Sequence, residues 1–144
     1  KIIMINAKQI GSPRARRVHQ LIITGTTYNM WPETKNRGWQ VMAEATVTDN
    51  PNDNYPDIII LDDRKQLLFC LEITRTWSSS YDRRKCEGLQ KRFPQTEFFV
   101  YNYETDVLSQ LDKDGKWYSS VEYELFSRLF SRPLVEYIYI PEDY

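Results

Sequence analysis

Histidine occurs once in this 144-residue chain and cysteine twice. One His supports neither a histidine-built zinc centre nor a Ser–His–Asp triad of hydrolytic type. His19, in an amphipathic helical stretch, reads as a packed or exposed residue rather than a ligand. Cys70 in an apolar run and Cys86 on a predicted helix make no disulfide framework and read as two buried thiols. No stretch approaches the ~20 apolar residues that span a bilayer, and the opening KIIMINAKQIG has too short an apolar run for a secretion signal. A cytoplasmic protein with no membrane partner is expected. There is no glycine-rich phosphate loop, so nucleotide-driven work is not expected. Net charge is lacking as well. The 19 Lys and Arg against 20 Asp and Glu leave −1, so any attraction to a polyanion has to be local.

What is present is ordinary in proportion and rich in rings. Hydrophobic residues make up 41%, charged residues 27% and aromatics 14%, which excludes a disordered chain. The length predicts one domain over 1–144, with no repeat, low-complexity segment or linker. Ser12-Pro13 looks like a helix entry, and Val18, Leu21 and Ile22 predict a helix from about Pro13 to Gly25, extendable to Trp31. WQVMAEATV alternates as a half-buried strand from Trp39 to Val47. The polar TDNPNDNYP is a loop. Ser79 or Ser80 can cap a helix whose Cys86, Leu89 and Phe93 form one stripe, ended by Pro94. TEFFVYNY is a strand, Asp114-Gly115 turns a hairpin, VEYELFSRLF is a short helix or strand, and PLVEYIYI is expected as an edge strand. This order predicts one sheet flanked by helices, an α/β or α+β sandwich.

The segment Tyr55–Trp77, YPDIIILDDRKQLLFCLEITRTW, holds two apolar strands around the turn formers DDRK. Centring the turn between Arg64 and Lys65 sets Leu61 opposite Leu68, Ile59 opposite Cys70, and Asp57 opposite Glu72. These six side chains share one face. The other face is apolar too, so the hairpin is central and covered on both sides. Opposed like charges repel, and carboxylates at the end of a buried hairpin need an offset. A basic side chain, a shared proton or a divalent cation can supply it, the cation best. Thr74 points to the same place. On the following helix Asp82 and Lys85 lie three apart on one face, with Lys85 beside the buried stripe and able to reach inward.

Pro56-Asp57, fifteen residues, then Glu72-Ile73-Thr74 resembles the PD-(D/E)XK nuclease superfamily, with Thr74 where that pattern has Lys. PDIIILDD, LLFCLEITRTWSSSYDRRKCEGLQKRF and TEFFVYNYET together resemble its Uma-type restriction-endonuclease group over about Tyr55 to Thr105. In that group the missing lysine comes from the helix, and Lys85 stands in the matching place. The resemblance implies a restriction-endonuclease-like core with a mixed central sheet flanked by helices. It implies metal-dependent hydrolysis of DNA phosphodiesters, with Mg²⁺ (or Mn²⁺ in its stead) held by Asp57, Glu72 and the Ile73 carbonyl. Lys85 would orient the nucleophile or neutralise the transition state, with Arg75, on the opposite face, a lesser substitute. Glu44 reads as an exposed strand residue or an added ligand. Basic residues at Arg14, Arg16 and Arg17, and at Arg83 and Arg84 beside the predicted site, suit phosphate contacts as well as a solvated helix face. A homodimer is expected, since one active site cuts one strand. The rival readings are a nuclease-like fold that binds nucleic acid or protein without chemistry, and a transposon-associated end-cleaving subunit active only beside partner proteins.

Overall fold

Why a polar-looking first helix runs for 24 residues is answered by one stripe of side chains. In the computed structural model, which describes residues 3–4, 13–43, 45–46, 56–120 and 125–142, helix α1 covers Pro13–Asn36. Val18, Ile22, Thr26, Met30 and Thr34 recur every fourth residue and are all buried. The helix therefore passes through ITGTT and through Pro32, well beyond the predicted end. Burial outweighs propensity here, because Thr34 returns its hydroxyl to the Met30 and Trp31 carbonyls and Thr26 accepts the Tyr139 amide.

Strands β1 (Ile3–Met4) and β3 (Ala45–Thr46) pair as a small antiparallel ribbon. The main sheet has six strands in the order β2-β4-β5-β6-β7-β8. They are β2 (Gln40–Ala43), β4 (Ile58–Leu61), β5 (Leu67–Thr74), β6 (Glu97–Asn102), β7 (Val107–Leu111) and β8 (Trp117–Ser120). Only β5 and β6 run parallel, joined through helix α2 (Ser79–Arg92). The protein is thus α+β, a mixed sheet flanked by two helices, as the order of elements predicts.

The hairpin pairs Ile58 with Leu71, Ile59 with Cys70 and Ile60 with Phe69, the predicted register, and a bulge then sets Leu61 against Leu67. Lys65 takes a positive φ of 65° in the turn, while the Asp62 carboxylate holds the Arg64 and Gln66 amides. Alternation splits the interior into two cores. Ile58, Ile60, Phe69, Leu71, Ile73 and Phe99 face α1, while Ile59, Leu61, Cys70, Phe98 and Val100 meet Cys86 and Leu89 of α2.

Two expectations for the chain's last third change. PLVEYIYI is not an edge strand. Leu134–Tyr137 form a 3₁₀ turn, and the segment crosses α1 as a strap. Tyr137 donates its hydroxyl to Glu33, its carbonyl accepts from Asn29, and its ring packs on Phe130. Pro133 has no amide for a ladder, and burying these rings on α1 satisfies the backbone without one. Of VEYELFSRLF, residues 121–124 lie outside the described residues, and from Leu125 the chain is irregular. No helix among the described residues is long and apolar enough to cross a membrane.

Candidate active site

Asp57 stands one residue before β4, where the ladder with β5 has ended. Side chains continue the pairing there. The Asp57 amide donates to Glu72 Oε1 at 2.7 Å, and the Ile73 amide donates to Asp57 Oδ2 at 2.8 Å. Each carboxylate holds the backbone that carries the other, so the two acids converge with little freedom. Glu72 is 1% exposed and Asp57 is half-buried.

Helix α2 brings the cation. Lys85 Nζ lies 2.6 Å from Glu72 Oε2 and 3.5 Å from Asp82 Oδ1. Asp82, in the first turn of α2, is itself buried. Glu72 Oε2 is sealed from water, and the Lys85 ammonium is its charged neighbour. Thr74 joins the same polar cluster, its hydroxyl 2.9 Å from Ser78 Oγ. Arg75 pairs instead with Glu104 at 3.5 Å, away from the acids.

The remaining member is one that the sequence pattern did not select. His19 Nε2 lies 2.9 Å from the Ile73 carbonyl and 3.2 Å from Asp57 Oδ2. A carbonyl only accepts, so Nε2 carries a proton. His19 is thus packed, as expected, and its partners are Asp57 and Ile73. It sits one position from Val18 at the edge of the buried stripe of α1, and that placement is the one signal that pointed inward.

The electrostatics follow from burial. Glu72 is pushed up from the usual carboxylate range, first by burial and then by the charge of Asp57, with Lys85 opposing. Burial also raises Asp82. Burial works against charge on Lys85 and His19, but the surrounding carboxylates win, holding Lys85 well above its ordinary value and raising His19 to about 9. The site has three carboxylates against two cations.

Does this arrangement suit a divalent ion? Its carboxylate and carbonyl oxygens are of the hard kind that Mg²⁺ takes. The oxygens that could meet such an ion belong to Asp57, Glu72 and the Ile73 carbonyl. His19 Nε2–H stands where Asp57 Oδ2 and the Ile73 carbonyl meet, and among the described residues no three His, Cys, Asp or Glu side chains form a ready-made metal cluster.

The basic residues scatter. Arg17 is exposed on α1 and Arg84 is exposed on α2. Arg83 is half-buried, donating to Ser109 Oγ at 3.1 Å and lying over the Trp117 ring. Glu44 and the side chains of Arg14 and Arg16 lie outside the described residues. Neither a family model nor a curated protein matches the chain.

Proposed function

We propose that the protein is a metal-dependent DNA endonuclease of the PD-(D/E)XK kind. One observation carries the reading. Asp57, Glu72, the Ile73 carbonyl and Lys85 converge at one end of the sheet, although they come from a loop, a strand and a helix. Asp57, Glu72 and the Ile73 carbonyl would hold Mg²⁺, or Mn²⁺ in its place. Bound there, the ion would lower the pKa of a water and offset charge on the phosphoryl oxygens.

The chain's own groups do the rest. Lys85 stays protonated beside Glu72, so its ammonium can orient an attacking water or meet charge that develops on the phosphate. Asp82 holds that ammonium from its second side. Substituting Asp57 or Glu72 by Ala should abolish nicking of plasmid DNA in Mg²⁺ with the far-UV spectrum unchanged. Cleavage that survives both substitutions would end the catalytic reading.

The His19 contact favours a second reading, a fold of this kind that binds nucleic acid or protein without chemistry. A protonated imidazole at Asp57 and Ile73 already supplies positive charge there, and Thr74 replaces the lysine of the motif. Calorimetry with Mn²⁺ separates the two, since the catalytic reading requires binding that Asp57→Ala removes. The transposon-associated reading requires the same metal binding with no nicking until a partner protein is added.

A further inference from the structure

Helix α2 separates two polar regions on one face of the sheet. Asp82 and Lys85 turn toward Glu72, whereas Ser79 and Arg83, four residues apart on another side of the helix, line a cleft of about 190 Å³ over β6 and β7. Glu72 pairs with Val100 of β6, and Val100 pairs with Ser109 of β7. The far wall of the cleft is therefore two strand spacings, about 10 Å, from the carboxylates.

The cleft has the chemistry of an oxyanion site. Val100 and Val107 form apolar lining, Thr105 stands on the rim, and the buried Ser109 hydroxyl is held between Arg83 and Ser119. No Asp or Glu among the described residues lines it, so the Arg83 charge has no acidic partner there. The guanidinium is fixed twice, by its bond to Ser109 and by the Trp117 ring 5.1 Å away. Its Nε is screened from water and meets no acceptor, so its terminal nitrogens are what it can offer a ligand in the cleft. A held guanidinium in a cleft with Thr105 on its rim, and with no Asp or Glu among the described residues in its lining, offers its terminal N–H groups as arginine does to phosphate.

We propose that this cleft binds a phosphate oxyanion. Resting on the endonuclease reading, that oxyanion is a phosphodiester of the same strand, a neighbour of the one at Asp57 and Glu72. The assignment gives Arg83 a role in holding substrate, distinct from the solvent-facing contact expected of Arg84.

The test observes the arginine Nε–Hε resonances of ¹⁵N-labelled protein in EDTA, with the Arg83 signal assigned by its loss in Arg83→Lys. Inorganic phosphate and a short oligonucleotide without terminal phosphates are titrated separately. The Arg83 signal should shift saturably with each, and phosphate binding followed by calorimetry should weaken by roughly tenfold or more in Arg83→Lys. Should that variant fail to fold, Thr105→Glu, at an exposed position on the rim, should remove the shift by placing an acid in the cleft. No saturable shift, or equal affinity in these variants, overturns the site. Saturation by inorganic phosphate alone keeps the oxyanion cleft and overturns its assignment to a strand. Asp57→Ala should retain the shift. A wild-type protein that shifts but never nicks DNA removes the nuclease reading and leaves the cleft standing.

Discussion

At the scale of single residues, Lys85 and Glu72 depend on each other because neither is solvated. Removing only the ammonium leaves a buried carboxylate to be protonated or hydrated. Lys85→Met should therefore cost about 3 kcal/mol at neutral pH, the size seen when one partner of a buried pair is lost. Adding Glu72→Gln should restore most of it, since two neutral groups of similar shape replace the pair. Denaturant melts of the two variants check this, and equal loss in both would mean that the pair is not coupled. His19 gives a pH dependence of known sign. Its folded value is raised to about 9 from 6.5, so its stabilisation is complete below about 6.5 and fades as pH rises through 9. Glu72 acts in the same sense, because a carboxyl raised in the fold is costly to ionise. Metal-free protein should lose thermal stability from pH 6.5 to 9, and His19→Gln should flatten that slope. A slope unchanged in the variant would place the titration elsewhere.

At the scale of elements, the hairpin shows how much a short pattern can carry. Alternation and the turn residues placed Ile59 opposite Cys70, which is observed, whereas Leu61 meets Leu67 in place of Leu68 and the two acids meet beyond the ladder through backbone amides. The bulge at Leu61 was not legible, because local composition does not tell which residue is squeezed out of a ladder. Helix α1 was legible at its start and not at its end. Gly25, Thr26 and Pro32 all oppose a helix locally, and burial against the sheet, with contacts to a segment more than a hundred residues later, tips the balance the other way. His19 was hidden for the same reason, since its partners are Asp57 and Ile73, far along the chain. Gly25 offers a direct test of that balance. A Cβ built there would lie inside contact distance of the Tyr139 ring. Gly25→Ala should destabilise by about 1–3 kcal/mol through overpacking, although Ala is the better helix former by about 1 kcal/mol. In a Tyr139→Gly background, which also removes the Tyr139 Cβ, Gly25→Ala should reverse the sign, which a pair of thermal melts would show. A stabilised single variant would mean that the strap yields without cost.

At the scale of the molecule, the candidate site lies where separately built layers meet. His19 comes from α1 on one face of the sheet, Lys85 and Asp82 come from α2 on the other, and Asp57 and Ile73 belong to the strand ends between them. Anything that binds there holds both helices against the sheet, so its binding free energy adds to the stability of the whole fold. Linkage sets the amount. A ligand of the folded state at a hundred times its dissociation constant stabilises by about 2.7 kcal/mol, provided that the unfolded chain does not bind it. Mn²⁺ should therefore raise the melting temperature of the wild-type protein in steps that follow the logarithm of its concentration. Asp57→Asn and Glu72→Gln should cancel that rise, and Glu87→Gln, on the far side of α2 where Glu87 accepts from Trp117, should leave it intact. Because the readout is unfolding, it applies whether or not DNA is cut, and it addresses the ion separately from the chemistry. An equal rise in all four proteins would show Mn²⁺ acting on the surface at large, and the converging carboxylates would then be structural, held neutral by a proton and by Lys85.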